Sequence, residues 1–117
     1  MKQLKVILLA IFGAILLFAC TDRGKGRFVI SESKAYPASL FRQNCAICHG
    51  PEADGKTLMD GTVVPGLREG EFKYKSDHEI YNHISDGGNG MVPFRTQLTD
   101  REIKMLVEFV QKDLRRK

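Results

Sequence analysis

Cys45-Ala46-Ile47-Cys48-His49 is the stretch on which the reading of this 117-residue chain turns. On a helical turn the i, i+3 spacing brings both thiols to one face, with the imidazole carried just beyond them. The surroundings are sparse. Ala38 to Asn44 is a short helical candidate, with Pro37 at its first turn and Leu40 and Phe41 as apolar positions, and it runs straight into Cys45. Gly50 to Lys75, rich in glycine and interrupted by Pro51 and Pro65, has no helical apolar period and reads as loop. Ser76 to Glu79 has capping-box spacing ahead of Ile80 and Ile84, on a helix that should stop near Asp86-Gly87-Gly88. Thr99 to Glu102 repeats that spacing ahead of Ile103, Leu106, Val107 and Val110, which share one helical face. No stretch alternates as a strand does. The expected fold class is therefore all-α, three to four short helices.

Such a chain has a deficit at its centre. Roughly 80 residues, a third of them loop, bury too little apolar surface to be comfortably stable alone. A large apolar group bonded to the chain would fill the gap, and C-x-x-C-H is the attachment pattern for one covalently bound haem c. Cys45 and Cys48 would form thioethers to the two vinyl groups on one edge of the ring, and His49 would present a nitrogen to the iron. Two other chemistries use C-x-x-C. A thioredoxin-like dithiol pair wants a strand-to-helix setting, and a zinc site needs a further ligand such as His78 or His83.

The start of the chain bears on that choice. Lys2 and Lys5 precede an apolar run of fourteen residues, Val6 to Ala19, which ends in Leu17-Phe18-Ala19-Cys20. At roughly 1.5 Å per residue the run spans about 21 Å, short of roughly 30 Å of hydrocarbon, so a cleaved export signal fits better than an uncleaved anchor helix. Leu17 to Cys20 resembles a bacterial lipoprotein box. That resemblance implies residues 1–19 as signal peptide and Cys20 as the lipid-bearing first residue of the mature chain, on the periplasmic side of a bacterial membrane. Residues 20–35, charged and small apart from Phe28-Val29-Ile30, read as a flexible tether, and residues 36–117 as the domain. With lipid on Cys20 and haem on Cys45 and Cys48, all three cysteines are accounted for and no disulfide remains. Without Lys2 and Lys5 the chain has 16 basic against 14 acidic residues, a net of +2, which gives no case for nucleic-acid binding.

From about Ala38 to Lys112 the chain resembles the small class I cytochromes c. Leu40 and Phe41 stand where that family has a leucine-aromatic pair. Cys45, Cys48, His49 and Gly50 match its attachment segment, and Thr99 to Val110 its last helix. Pro65-Gly66-Leu67 looks like its proline turn, whose Pro65 carbonyl would accept a hydrogen bond from the His49 ring. Gly90-Met91-Val92-Pro93-Phe94 looks like its methionine loop, with Met91 sulfur as sixth ligand. Pro37 or Ala38 stands where the family usually has a small glycine at the helix crossing, and Val92 separates Met91 from Pro93. Met59, Met105, His78 and His83 are the competing candidates for the sixth position, while Arg68, Lys73, Lys75 and Arg95 read as solvated surface.

His/Met ligation raises the reduction potential and fills both axial positions, which favours electron transfer over substrate activation. The resemblance thus implies a membrane-tethered one-electron carrier, not an enzyme, with redox proteins as donor and acceptor and no small-molecule substrate. Two alternatives stand beside it: a subunit that admits electrons to a membrane oxidoreductase complex, and a haem peroxidase or gas sensor with a labile sixth position.

Overall fold

The protein was examined as a computed structural model that describes residues 26–115 and the isolated positions 1 and 3. The signal segment and Cys20 lie outside the described residues. Four α-helices follow in order within them: α1 (Tyr36–Asn44), α2 (Ala46–His49), α3 (Asp77–Asp86) and α4 (Asp100–Glu108). Between α2 and α3 comes a two-stranded antiparallel hairpin, β1 (Gly55–Thr57) and β2 (Val63–Pro65), in the register Gly55 to Pro65, Lys56 to Val64 and Thr57 to Val63. The chain is mostly helical, and the all-α expectation is corrected by this hairpin. Three-residue strands whose side chains are largely exposed carry no alternating signature, and only the ladder defines them.

Both long helices open on complete capping boxes. Ser76 Oγ accepts from Glu79 N and Thr99 Oγ1 from Glu102 N, while each glutamate carboxylate reaches back to its N-cap amide. After Glu108 the chain continues as a six-residue π-helix, Phe109–Leu114. The last helical segment is therefore longer and wider than the sequence pattern through Val110 implies.

The core forms where α1 meets α4. Ala38 is fully buried, as are Phe41, Ile103 and Leu106 for practical purposes. Phe109 carries the packing onward, with its ring 6.1 Å from Phe41 and 5.3 Å, edge-on, from Phe28. Tyr36 Oη donates to Glu102 Oε1 at 2.5 Å and ties the start of α1 to the first turn of α4.

Phe28 belongs to the segment read as tether, and the part of it from Arg27 to Ser33 packs on the domain. Ile30 is completely buried, and its amide and that of Ser31 both donate to the Glu52 carboxylate at 2.9 Å. Arg42 Nη1 donates to the carbonyls of Ile30 and Ser33. Arg68, expected at the solvated surface, is 8% exposed and donates to the carbonyls of Glu52 and Phe28. Among the described residues, packing onto the domain thus extends upstream of position 36, to Arg27. Among the described residues no helix is long and apolar enough to cross a membrane.

Candidate functional site

α2 is one turn of helix, and its hydrogen bonds fix the motif's geometry. Cys48 N and His49 N both donate to Cys45 O, at 3.2 and 2.9 Å, and Gly50 N donates to Ala46 O at 2.9 Å. Cys45 and Cys48 are therefore one turn apart on the same side, both as free thiols, Cys45 half-buried and Cys48 exposed. Burial, and secondarily the neighbouring Cys48, pushes the Cys45 thiol up to about 12. A dithiol redox pair needs an easily formed thiolate, so this environment opposes that chemistry. For zinc, the described residues contain no group of three or more His, Cys, Asp or Glu side chains able to hold an ion.

The hairpin earns its place through His49. It packs against α2, and β2 ends at Pro65, whose carbonyl lies 3.3 Å from His49 Nδ1. A carbonyl can only accept, so the proton sits on Nδ1 and the lone pair on Nε2. Burial holds the imidazole below its ordinary pKa; the Pro65 bond opposes that shift and the nearby His83 reinforces it. His49 is thus a neutral, oriented ring with Nε2 available to a metal. Leu67 N donates to Ala53 O at 2.8 Å, which fastens the far side of the Pro65 turn to the loop after α2.

Met91 sits in a second hairpin turn that the residues dictate closely. Gly88 N donates to Met91 O at 2.8 Å and Met91 N to Gly88 O at 3.0 Å, around Asn89 (φ 52°) and Gly90 (φ 86°). Two central residues with positive φ define a type I′ turn, for which Asn-Gly is the favoured pair. The loop is closed by Phe94 N to Ile84 O and Arg95 N to Ser85 O, at 3.0 and 3.2 Å, which return the chain along the end of α3. Gly87 stands at the narrowest point: a Cβ there would lie 2.5 Å from Met91 O and 2.8 Å from Pro93 N. Met91 itself is half-buried and packs against the core, as do Cys45, Ala46, Leu67 and Tyr74.

Of the competing candidates, His83 stays near His49. Met59 is fully exposed at the tip of the β1–β2 hairpin. His78 is exposed, with Nε2 3.0 Å from Asn82 Nδ2, and Met105 lines a surface cavity with Asp77, Tyr81 and Asp100. His83 is not the solvated residue that its place on a short helix implies. It is half-buried, with its ring stacked on Tyr74 at 4.2 Å. Burial lowers its pKa. Asn89 Nδ2 donates to Tyr74 Oη at 2.7 Å. Neither Asn89 nor the stack was read from the sequence, although Asn-Gly is a turn signal in its own right.

These residues fit a haem. A single turn presents two thiols and an oriented imidazole, a thioether lies in a closed loop, and half-buried apolar side chains border both. Imidazole and thioether are together a donor pair suited to haem iron.

Known proteins point the same way. Residues 33–110 match the family described as cytochrome C oxidase, cbb3-type, subunit III. The chain is 30% identical over 76 residues to the cbb3-type cytochrome c oxidase subunit CcoP of Azospirillum sp. (strain B510), covering 62% of this chain and 26% of that protein. It thus spans about a quarter of that relative's length. Among solved structures it is similar to the KustC0563 c-type cytochrome, at 27% identity and a TM-score of 0.50 over 67% of this chain and 95% of that one. A mutant of the same cytochrome superposes with a TM-score of 0.56 at 32% identity, over 65% and 95% of the two chains.

Proposed function

Since this chain belongs to the cytochrome c oxidase, cbb3-type, subunit III family, and so is a c-type cytochrome, we propose that it binds one haem and passes single electrons between redox proteins. The observation that carries this reading is the α2 turn, with Cys45 and Cys48 on one side and His49 Nδ1 held at 3.3 Å by Pro65 O. Cys45 and Cys48 would hold the group through thioethers, and His49 Nε2 and Met91 sulfur would be the donors to its iron. When bound, the haem supplies reversible one-electron transfer. The Pro65 carbonyl fixes the His49 tautomer and raises its basicity. Met91, as a thioether, favours the reduced state relative to a second imidazole.

The localisation belongs to the same proposal. Lipid on Cys20 would hold the domain to the periplasmic side of a bacterial membrane. The match to an oxidase subunit supports a second reading, a subunit that passes electrons within a membrane oxidoreductase.

The test is a pyridine haemochrome spectrum and intact mass of protein expressed with haem-attachment machinery. One haem per chain is expected, and Cys45→Ser with Cys48→Ser should abolish covalent attachment. A protein that matures without bound haem sinks the proposal. Stable co-purification with a membrane oxidase would select the subunit reading.

A further inference from the structure

We propose that Tyr74 and Asn89 are positioning residues for Met91, forming a side-chain tie that holds the methionine turn closed against the body of the domain. The proposal rests on the reading of Met91 as an axial ligand and goes beyond it to what controls the strength of that ligation. Tyr74 is built as a fixed post. Its backbone carbonyl accepts from Arg115 Nη1 at 2.9 Å, and the next carbonyl, Lys75 O, accepts from Gln111 Nε2 at 2.7 Å. The Arg115 guanidinium also lies 3.8 Å from the centroid of the Phe72 ring. Residues 72–75 are thus gripped from two sides by the π-helix and the residue after it.

The Tyr74 ring is oriented by its stack on His83, with 28° between the planes, and its hydroxyl oxygen is left as the acceptor for Asn89 Nδ2 at 2.7 Å. Asn89 is the first central residue of the I′ turn and stands two positions before Met91. The rest of the turn is exposed at Gly88, Asn89 and Gly90, so within the turn itself this is the side-chain bond that spans from the loop to another element. A loop closed at one end by backbone bonds to α3 and at its tip by one side-chain tie opens when the tie is cut. Opening carries Met91 sulfur away and frees the sixth position.

The probe is imidazole, which competes with a protein ligand for ferric haem iron. In the haem-loaded protein, Tyr74→Phe keeps the ring and its stack but removes the hydroxyl, and Asn89→Gly keeps the positive φ but removes the amide. Each is expected to tighten apparent imidazole binding about three- to tenfold, the effect of losing one net hydrogen bond. The double variant should match either single one, because both cut the same tie. Asn89→Asp, which can accept from the tyrosine hydroxyl instead, should stay near wild type. Unchanged imidazole affinity in Tyr74→Phe, with only a lowered melting temperature, overturns the proposal, and so do multiplicative effects in the double variant. Absence of the near-infrared sulfur-to-iron band in ferric wild type would instead overturn the Met91 reading, and this inference with it.

Discussion

His49 and Gly87 govern the site by opposite means, one through a hydrogen bond and the other through the absence of a side chain. The Pro65 carbonyl selects the His49 tautomer because it can only accept. Gly87, at φ 72°, leaves room for the Met91 carbonyl and the Pro93 nitrogen at distances no Cβ tolerates. Gly87→Ala therefore combines left-handed strain with a backbone clash, an expected loss of about 2–4 kcal/mol. Gly90 makes the control, since its φ is 86° but its Cβ position meets nothing within 4 Å. Gly90→Ala should cost only about 1–2 kcal/mol, the strain alone. Urea titrations of the haem-loaded variants measure both, and the near-infrared band should weaken in Gly87→Ala before it does in Gly90→Ala. Equal losses would show that the clash at Gly87 is relieved elsewhere.

At the scale of elements, the two capping boxes show what is legible from sequence. Ser76 with Glu79 and Thr99 with Glu102 are local, residue-specific bonds, and both form as their spacing implies. Thr99→Ala should cost about 1 kcal/mol by removing the acceptor for the Glu102 amide, read as a lower urea midpoint with unchanged slope. The Cys45–His49 turn and the α1 and α4 faces are legible for the same reason: their signals lie within one or two helical turns. The β1–β2 hairpin was not. Its strands are three residues each, and what defines it is pairing across the Leu58–Thr62 loop and packing on α2. Nor was the burial of Arg68, whose partners Phe28 and Glu52 lie 40 and 16 residues away. The π-helix is equally silent in sequence; its i+5 bond, Arg115 N to Val110 O at 3.0 Å, accompanies grips on residues 72–75 that no local pattern encodes.

Among the described residues the core is closed by Phe28 and Ile30, which pack with Phe109 and α1. The chemistry of that closure centres on Glu52. Burial pushes its carboxyl up, but the amides of Ile30 and Ser31, with Arg68 adding to them, outweigh burial and hold it below its ordinary pKa. The sign follows directly. A carboxylate depressed on folding contributes stability above the unfolded pKa, and that contribution is lost as pH falls through the folded value. Acid should therefore release residues 27–33 before the rest of the domain unfolds. Glu52→Ala should do so at neutral pH, since it strips two backbone amides of their acceptor and leaves Arg68, 6% exposed at its side chain, with only the more distant Asp54 carboxylate at 3.9 Å. Leaving a buried charge unpaired costs roughly 3–5 kcal/mol, and the two carbonyls and the Asp54 carboxylate that Arg68 keeps place the expected loss below that range. Hydrogen exchange at the Ile30 and Ser31 amides checks this directly. Protection in wild type should fall with acid, be missing in Glu52→Ala at every pH, and leave Ile103 and Leu106 on α4 protected in both. Persistent protection of Ile30 in Glu52→Ala would mean that burial of its side chain alone holds the segment down.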